Sequence, residues 1–177
     1  MGQIERWDAA DAARNIDGLV ELLRDSVDGG ASVGFLPPLA AGEARRYWED
    51  VIRELSAGER ILLAARDATG LAGAAQLALP AKPNASHRAE VQKLLVHSRA
   101  RRAGLGRALM AELEGAARAA GRLLLVLDTR EGDAAERLYR ALGYRAAGVI
   151  PGYARSADGR LDGSVFFYRA LDEEETA

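Results

Sequence analysis

The segment that decides the fold is Val96-His-Ser-Arg-Ala-Arg101-Arg-Ala-Gly-Leu-Gly106-Arg-Ala-Leu-Met110. It follows an apolar, strand-like stretch at 90–96 and runs through a basic, glycine-containing turn into a helix predicted over 105–120. From Val91 to Ala111 there are five Lys or Arg residues and no acidic one. The first N–H groups of a helix lack intrahelical partners, and the helix dipole adds positive charge there. The segment therefore predicts an anion site suited to a pyrophosphate, with a solvated basic turn as the alternative reading.

The periodicity on both sides of this segment predicts a mixed sheet with helices on its faces. Strands are predicted at 3–7, 60–67, 71–79, 90–96, 123–127, 144–150 and 164–171. Helices are predicted at 11–27, 43–55, 105–120 and 134–142. We therefore expect an α/β fold of the mixed α+β kind, with about seven mostly antiparallel strands flanked by four helices. A chain of 177 residues fits a single domain covering 1–177.

Composition argues against several classes of protein. The chain has no cysteine, which rules out disulfides, thiolate metal sites and a cysteine nucleophile. His87 and His97 alone leave little for a zinc site, so no metal is expected. A net charge of −2 argues against a nucleic-acid partner, and no apolar run is long enough to span a membrane. Because the first residues also lack the pattern of a signal peptide, we expect a cytoplasmic protein.

Two motifs together resemble the GNAT superfamily of N-acetyltransferases. Arg101-x-x-Gly104-x-Gly106 after a strand resembles the acetyl-CoA signature of that superfamily. Ala134-Ala-Glu-Arg-Leu-Tyr139-Arg-Ala-Leu-Gly143-Tyr144 resembles its Ala-x-x-x-x-Tyr-x-x-x-Gly-Phe segment. The resemblance implies a GNAT-like sheet with acetyl-CoA as co-substrate, bound by a core at roughly 60–171, and an acceptor site to which two helices within 8–58 contribute.

Further segments are similar to the tabtoxin-resistance acetyltransferases of that superfamily, which acetylate a β-lactam toxin. They include Gly29–Phe35, Arg88–Leu94, Leu127–Thr129 and Pro151–Tyr153. This likeness implies acetyl transfer to the primary amine of a small molecule, such as a toxin of that kind or an amino-acid-like metabolite. Acetylation of a protein N-terminus and a non-catalytic acyl-CoA-binding sensor are the alternatives. The expected partners are acetyl-CoA and a small amine, without nucleic acid or membrane, and a homodimer is compatible with them.

The resemblance also implies which residues bind acetyl-CoA. Backbone groups at Leu94, Leu95 and Val96 would meet the pantetheine arm, and a strand bulge there would free an N–H of Leu94 or Leu95 to stabilise an oxyanion. The pyrophosphate would lie against Arg101, Arg102, Ala103, Gly104, Leu105, Gly106 and Arg107. Many family members carry Asn at the position of Gly132. Asp133, with Ala134, could substitute for it, and an N-cap role for Asp133 is the alternative.

The candidate catalytic residues are a tyrosine and two carboxylates. By the resemblance, Tyr139 is the general acid that protonates the departing thiolate, and a plain core tyrosine is the alternative. Glu90 and Asp128 adjoin apolar strands where a carboxylate is costly, so they are candidate general bases. The alternatives are a salt bridge of Glu90 with Arg88 or another exposed cation, and a mere strand end at Asp128. The acceptor is expected against 29–38 and a loop at 151–163, with Ser32, Phe35 and Tyr153 as candidate contacts.

Overall fold

The computed structural model describes residues 3–171. In this part of the chain there are seven strands and five α-helices in one sheet-and-helix assembly. The strands are β1 (Gln3–Trp7), β2 (Arg60–Asp67), β3 (Gly70–Ala78), β4 (Arg88–Val96), β5 (Leu124–Arg130), β6 (Arg145–Arg155) and β7 (Leu161–Ala170). The α-helices are α1 (Ala9–Arg14), α2 (Ile16–Asp28), α3 (Ala41–Ser56), α4 (Leu105–Ala119) and α5 (Ala134–Ala141).

The sheet is mixed, with a single parallel contact near its centre. Its strand order is β1-β2-β3-β4-β5-β7-β6. Every neighbouring pair is antiparallel except β4 and β5, which are joined by the crossover through α4. The predicted mixed, mostly antiparallel sheet of seven strands is therefore confirmed.

Each face of the sheet carries its own apolar cluster. On one face, α4 and α5 pack on residues such as Val91, Leu125 and Phe167. On the other face, α1, α2 and α3 pack on residues such as Leu62 and Leu95 of β2 and β4. Side chains of β4 and β5 alternate between these faces, so Glu90 and Asp128 share the face of α1–α3. Those helices cover β1 to β4, whereas Asp128 of β5 and Tyr168 of β7, on the same face, are exposed.

The structure has five helices rather than the predicted four, because the first helical stretch is broken at Asn15. Asp8 and Asp11 form a capping box that starts α1, and Asn15 ends it with φ −113 and ψ 18. The Asn15 side chain donates to the Asp11 carbonyl, which closes α1 before α2 begins. The apolar stripe continues across the break, so the hydrophobic period could not show it.

The prediction of a turn-rich loop at 151–163 is wrong, because most of this segment belongs to the two strands of a long hairpin. Strand β6 continues through Pro151 and Gly152 to Arg155, and β7 begins at Leu161. The register between β6 and β7 shifts between Ile150 and Ala154, so a bulge absorbs the two turn-forming residues. Only the tip at 156–160 connects the two strands.

Candidate active site

A cleft opens in the sheet where β4 and β5 separate. The two strands pair only from Arg88 to Glu90 against Leu124 to Val126, and no pairing follows beyond that point. Strand β4 also carries a bulge, since Gln76 is opposite Gln92 and Ala74 is opposite Leu95. Between these two pairs β4 therefore has one residue more than β3. The bulge lies at the place where the resemblance implies one.

The start of α4, where an anion site is predicted, lies beside this cleft. Gly104 precedes the helix with φ +79, a backbone conformation that favours glycine, and offers no side chain to block the helix N-terminus. Arg102 and Arg107 are exposed and make no hydrogen bond or ion pair with any described residue. Two free guanidinium groups and the unpaired N–H groups of the first helical turn favour a phosphate-bearing ligand.

Arg101 is already engaged and holds the loop against α2. Its Nη2 lies 3.9 Å from a carboxylate oxygen of Asp25, and its Nε donates to the Val96 carbonyl at 3.2 Å. Asp25 also accepts from the backbone N–H of Ser98 at 2.7 Å and from its hydroxyl at 2.6 Å. Gly29 lies so near that a Cβ there would be 3.1 Å from Arg101 Nη2. These contacts place Arg101 where it shapes the loop around the anion site.

Gly106 serves packing as well as ligand access. A Cβ at this position would lie 3.4 Å from Leu138 of α5 and 3.8 Å from Val96. Its absence lets the first turn of α4 approach both α5 and the end of β4. Leu105, by contrast, is buried in the core, so only its backbone N–H can serve a ligand.

A chain of hydrogen bonds leads from the interior to Glu90. Arg60 Nη1 donates to Gln76 Oε1 at 2.7 Å and to Gln92 Oε1 at 2.9 Å. Gln92 then donates through Nε2 to Glu90 Oε1 at 3.0 Å, and Tyr47 donates to Gln76 Oε1 at 3.1 Å. The Glu90 carboxylate is thereby held in place by its neighbour on the same strand. The alternative reading of Glu90, a salt bridge with Arg88 or another exposed cation, is not found among the described residues.

Asp128 lies on the adjacent strand and shares the face of Glu90. Its side chain remains accessible to solvent, yet loss of hydration raises the pKa of its carboxyl group, and the charge of Glu90 raises it further. Interactions with Ser164 and Lys93 partly offset this rise. A carboxylate with a raised pKa at the mouth of a cleft can accept a proton from a bound amine.

Tyr139 lies on α5, below the cleft on the opposite face. It is 6% exposed, and its ring packs at 5.7 Å from that of Tyr144 and 6.1 Å from that of Phe167. Burial raises the pKa of the phenol, and the charge of Asp128 adds to the effect. Its hydroxyl makes no hydrogen bond with a described residue, which leaves it available to a ligand.

A cavity of about 480 Å³ lies next to the cleft, between three loops. Ser32 and Phe35 line it, together with Asp133 and the tip of the β6–β7 hairpin. Tyr153 does not line this cavity; it packs edge-on against Phe166 at 5.1 Å and stays 52% exposed. The structure therefore brings two of the three predicted acceptor contacts together.

Arg130 joins the three loops around the cavity. It donates to Asp133 Oδ1 at 3.0 Å, to the Ser156 hydroxyl at 3.2 Å and to the Gly30 carbonyl at 3.0 Å. Asp133 occupies the N-cap position of α5, yet its side chain makes no capping hydrogen bond and pairs with Arg130 instead. The alternative N-cap role of its side chain is therefore wrong.

Sequence reasoning missed the polar residues that surround Glu90. Gln76 and Gln92 interrupt apolar strands, which is the same signal that singled out Glu90 and Asp128. Lys93 could not be placed, because the bulge that orients it is invisible in the local pattern.

Among residues 3–171 there is no group of three or more His, Cys, Asp or Glu side chains that could hold a metal ion. In the same range no helix is long and apolar enough to cross a bilayer.

The predicted anion site at the start of α4 lies beside the split sheet, and two carboxylates and a tyrosine surround the split. This arrangement agrees with an acyl-transfer enzyme whose donor has a phosphate-bearing carrier. The sequence model of the acetyltransferase (GNAT) family matches residues 31–144. A curated N-acetyltransferase from the hisH–hisA intergenic region of Azospirillum brasilense is 36% identical over 130 residues, which is 72% of this chain and 75% of that protein. The chain belongs to the GNAT acetyltransferase family.

Solved structures confirm the fold. An acetyltransferase of Salmonella typhimurium, YncA, solved with its cofactor acetyl-CoA, superimposes with a TM-score of 0.78 at 22% identity over 100% of this chain and 98% of that one. A ribosomal-protein-alanine N-acetyltransferase of Brucella melitensis gives 0.77 at 24% identity over 95% and 99%. An aminoglycoside 6'-acetyltransferase of type Ii gives 0.73 at 23% identity over 97% and 99%. The GNAT fold is shown, and the prediction of acetyl-CoA as cofactor is confirmed at the level of the family.

Proposed function

We propose that this protein transfers the acetyl group of acetyl-CoA directly to the primary amine of a small molecule. The observation that carries the proposal is the placement of Asp128 and Glu90 on one side of the β4–β5 split and Tyr139 on the other. A base for the incoming amine and a proton donor for the leaving thiolate are thus available on opposite sides of one cleft. Direct transfer also agrees with the absence of any cysteine that could carry the acetyl group.

The residues present fit the acetyl donor. Bound acetyl-CoA would supply a thioester carbonyl for attack and a thiolate as leaving group. Arg102, Arg107 and the first N–H groups of α4 would hold its pyrophosphate, with Gly104 keeping the approach open. The unpaired edge of β4 from Leu94 to Val96 would hold its pantetheine arm through backbone groups.

Each protein group then has one task. Asp128, assisted by Glu90, accepts a proton from the acceptor amine. A backbone N–H at the β4 bulge stabilises the negative charge that develops on the carbonyl oxygen. Leu94 has no partner in the β3 register whereas Leu95 is opposite Ala74, which favours the N–H of Leu94. Tyr139 donates a hydrogen bond or a proton to the thiolate.

The direct test is release of free thiol from acetyl-CoA in the presence of a panel of primary amines. Because the chain has no cysteine, every thiol that appears comes from CoA. We expect amine-dependent release, with acetylated amine formed in equal amount by mass spectrometry. Binding of acetyl-CoA without any amine-dependent release would instead favour a sensor module.

The size of the accepted amine separates the remaining acceptor classes. Acetylation of free amines, a toxin of the tabtoxinine-β-lactam kind or an amino-acid-like metabolite among them, would support the small-molecule proposal. Acetylation of peptides alone would favour the protein N-terminus. That the protein is a homodimer and that it is cytoplasmic stay predictions.

Reversing the charge of Arg102 tests the phosphate site. We expect Arg102→Glu to weaken CoA binding by about tenfold or more, because one cation is lost and a repulsive anion replaces it. Isothermal titration calorimetry with CoA measures the change. Arg46→Glu, an exposed position on α3 that makes no hydrogen bond or ion pair with a described residue, is the matched control and should bind CoA normally. Unchanged affinity in Arg102→Glu would remove this residue from the phosphate site.

A further inference from the structure

Lys93 is a charged residue in the cleft that has no part in the proposed acetyl transfer. It lies in the β4 bulge with φ 49, a left-handed conformation that is unfavourable for a residue with a side chain. A bulge changes the direction in which a strand residue points. Here it turns Lys93 to the face that also carries Glu90 and Asp128.

The ammonium group of Lys93 is half-buried against aromatic rings. Its Nζ lies 5.2 Å from the ring centroid of Tyr47 and 5.7 Å from that of Phe35. A Cβ at Gly34 would lie 3.5 Å from the same Nζ, so the backbone of the loop at 29–37 also approaches it. The faces of aromatic rings attract a cation and replace part of its lost hydration.

The Lys93 ammonium nevertheless lacks a counter-ion. Within residues 3–171 it makes no hydrogen bond and has no carboxylate within ion-pair distance. Loss of hydration and the charge of Arg60 lower the pKa of Lys93, and the more distant Asp128 and Glu90 oppose this. An anion placed next to Nζ would compensate the lost hydration far better than the rings alone.

Lys93 lies beside one wall of the cavity. Phe35 contacts its ammonium group and also lines the cavity of about 480 Å³. A ligand with charges of opposite sign would place its anionic group at the Lys93 ammonium and its amine at the carboxylates of Asp128 and Glu90.

We propose that the acceptor carries a carboxylate next to its amine, and that Lys93 binds this carboxylate while Asp128 and Glu90 face the amine. The inference rests on the proposed function and narrows its substrate class to amino acids and their close analogues. One ammonium group matches a single negative charge. The two neighbouring carboxylates disfavour a dianion such as a phosphate monoester. Lys93 is thus a specificity-determining residue.

The test compares acceptors that differ only by the carboxylate. Protein saturated with CoA is titrated calorimetrically with α-amino acids and with their decarboxylated amines. Such pairs are leucine with 3-methylbutylamine, phenylalanine with 2-phenylethylamine, and lysine with 1,5-diaminopentane. We expect at least one amino acid to bind about tenfold or more tightly than its amine. Lys93→Met should abolish that preference and leave binding of the amine unchanged or slightly stronger.

Two controls keep the outcome specific. Lys82→Met alters the other lysine of the chain, which is exposed and outside the cleft, and should retain the preference. The thermal unfolding midpoint of Lys93→Met shows whether this variant folds. Lys93→Arg keeps the positive charge and should retain part of the preference for the amino acid. If no pair favours the amino acid, or if Lys93→Met keeps the preference, the inference is overturned.

The outcomes separate this inference from the proposed function. Thiol release with simple amines but no carboxylate preference leaves the transferase standing and removes the role of Lys93. Loss of a carboxylate preference in Lys93→Met without thiol release in any assay leaves the binding site standing and removes the reaction. If Lys93 only neutralises Asp128, Lys93→Met changes both members of each pair equally, which also overturns the proposal.

Discussion

Tyr139→Phe is expected to lower kcat by about 10²- to 10⁴-fold while leaving the fold intact. The ring of Tyr139 packs against Tyr144 and Phe167, and phenylalanine preserves that packing. The substitution removes only the hydroxyl, which makes no hydrogen bond with a described residue. Because burial raises its pKa, the phenol stays protonated throughout an assay between pH 6 and 9 and can always donate to the thiolate. Steady-state kinetics with acetyl-CoA and one accepted amine measures the loss.

The split between kcat and KM separates catalysis from structure. A raised pKa makes the phenol a weak acid, so a hydrogen bond to the developing thiolate carries more of the effect than full proton transfer. The KM for acetyl-CoA should therefore change little, since the bond strengthens only as charge develops on sulfur. Tyr144→Phe, a neighbouring buried tyrosine in the same cluster, is the matched control and should keep wild-type kcat. Wild-type turnover in Tyr139→Phe would end its role as proton donor.

The fold could be predicted well from the sequence because most elements keep their own hydrophobic period. The apolar run at 123–127 forms most of β5 and buries Leu125 and Leu127, although Leu123 is 50% exposed, and α4 shows one apolar stripe. The errors occur where a local signal conflicts with long-range pairing. Pro151 and Gly152 are usual turn residues, but pairing with β7 carries β6 past them through a bulge. The break at Asn15 depends on a side-chain hydrogen bond that leaves the apolar stripe unchanged.

The site could be predicted only where a residue type is unusual for its surroundings. Asp128 and Glu90 stand out because carboxylates are costly in apolar strands. Arg130 does not stand out, since its hydrogen bonds to Gly30 and Ser156 join parts of the chain that lie far apart in sequence. Lys93 belongs to the same class. An extra residue in the bulge determines which face it reaches, and a register shift cannot be read from a single strand.

Asp128→Asn is expected to lower kcat/KM by about 10²- to 10⁴-fold at neutral pH, since a general base must be ionised to accept the proton of the amine. In the wild-type protein, kcat/KM should rise with pH through the pKa of this carboxyl group. Burial and the charge of Glu90 raise that pKa above its usual value of 3.8. The acid limb of the profile therefore lies at higher pH than for an ordinary aspartate, and Asp128→Asn should abolish it.

Glu90→Gln gives the sharper distinction, because the two carboxylates predict different changes in the same profile. If Asp128 is the base, removing the charge of Glu90 lowers the pKa of Asp128, so the acid limb moves to lower pH and much of the plateau rate remains. If Glu90 is the base, Glu90→Gln flattens the limb and Asp128→Asn leaves most of the rate. An unaltered limb in both variants would assign the proton to water.

Glu112→Gln, an exposed position on α4 outside the cleft, should reproduce the wild-type profile. The Gln92 hydrogen bond to Glu90, together with the raised pKa of Asp128, favours the first outcome, in which Glu90 supplies charge and Asp128 takes the proton.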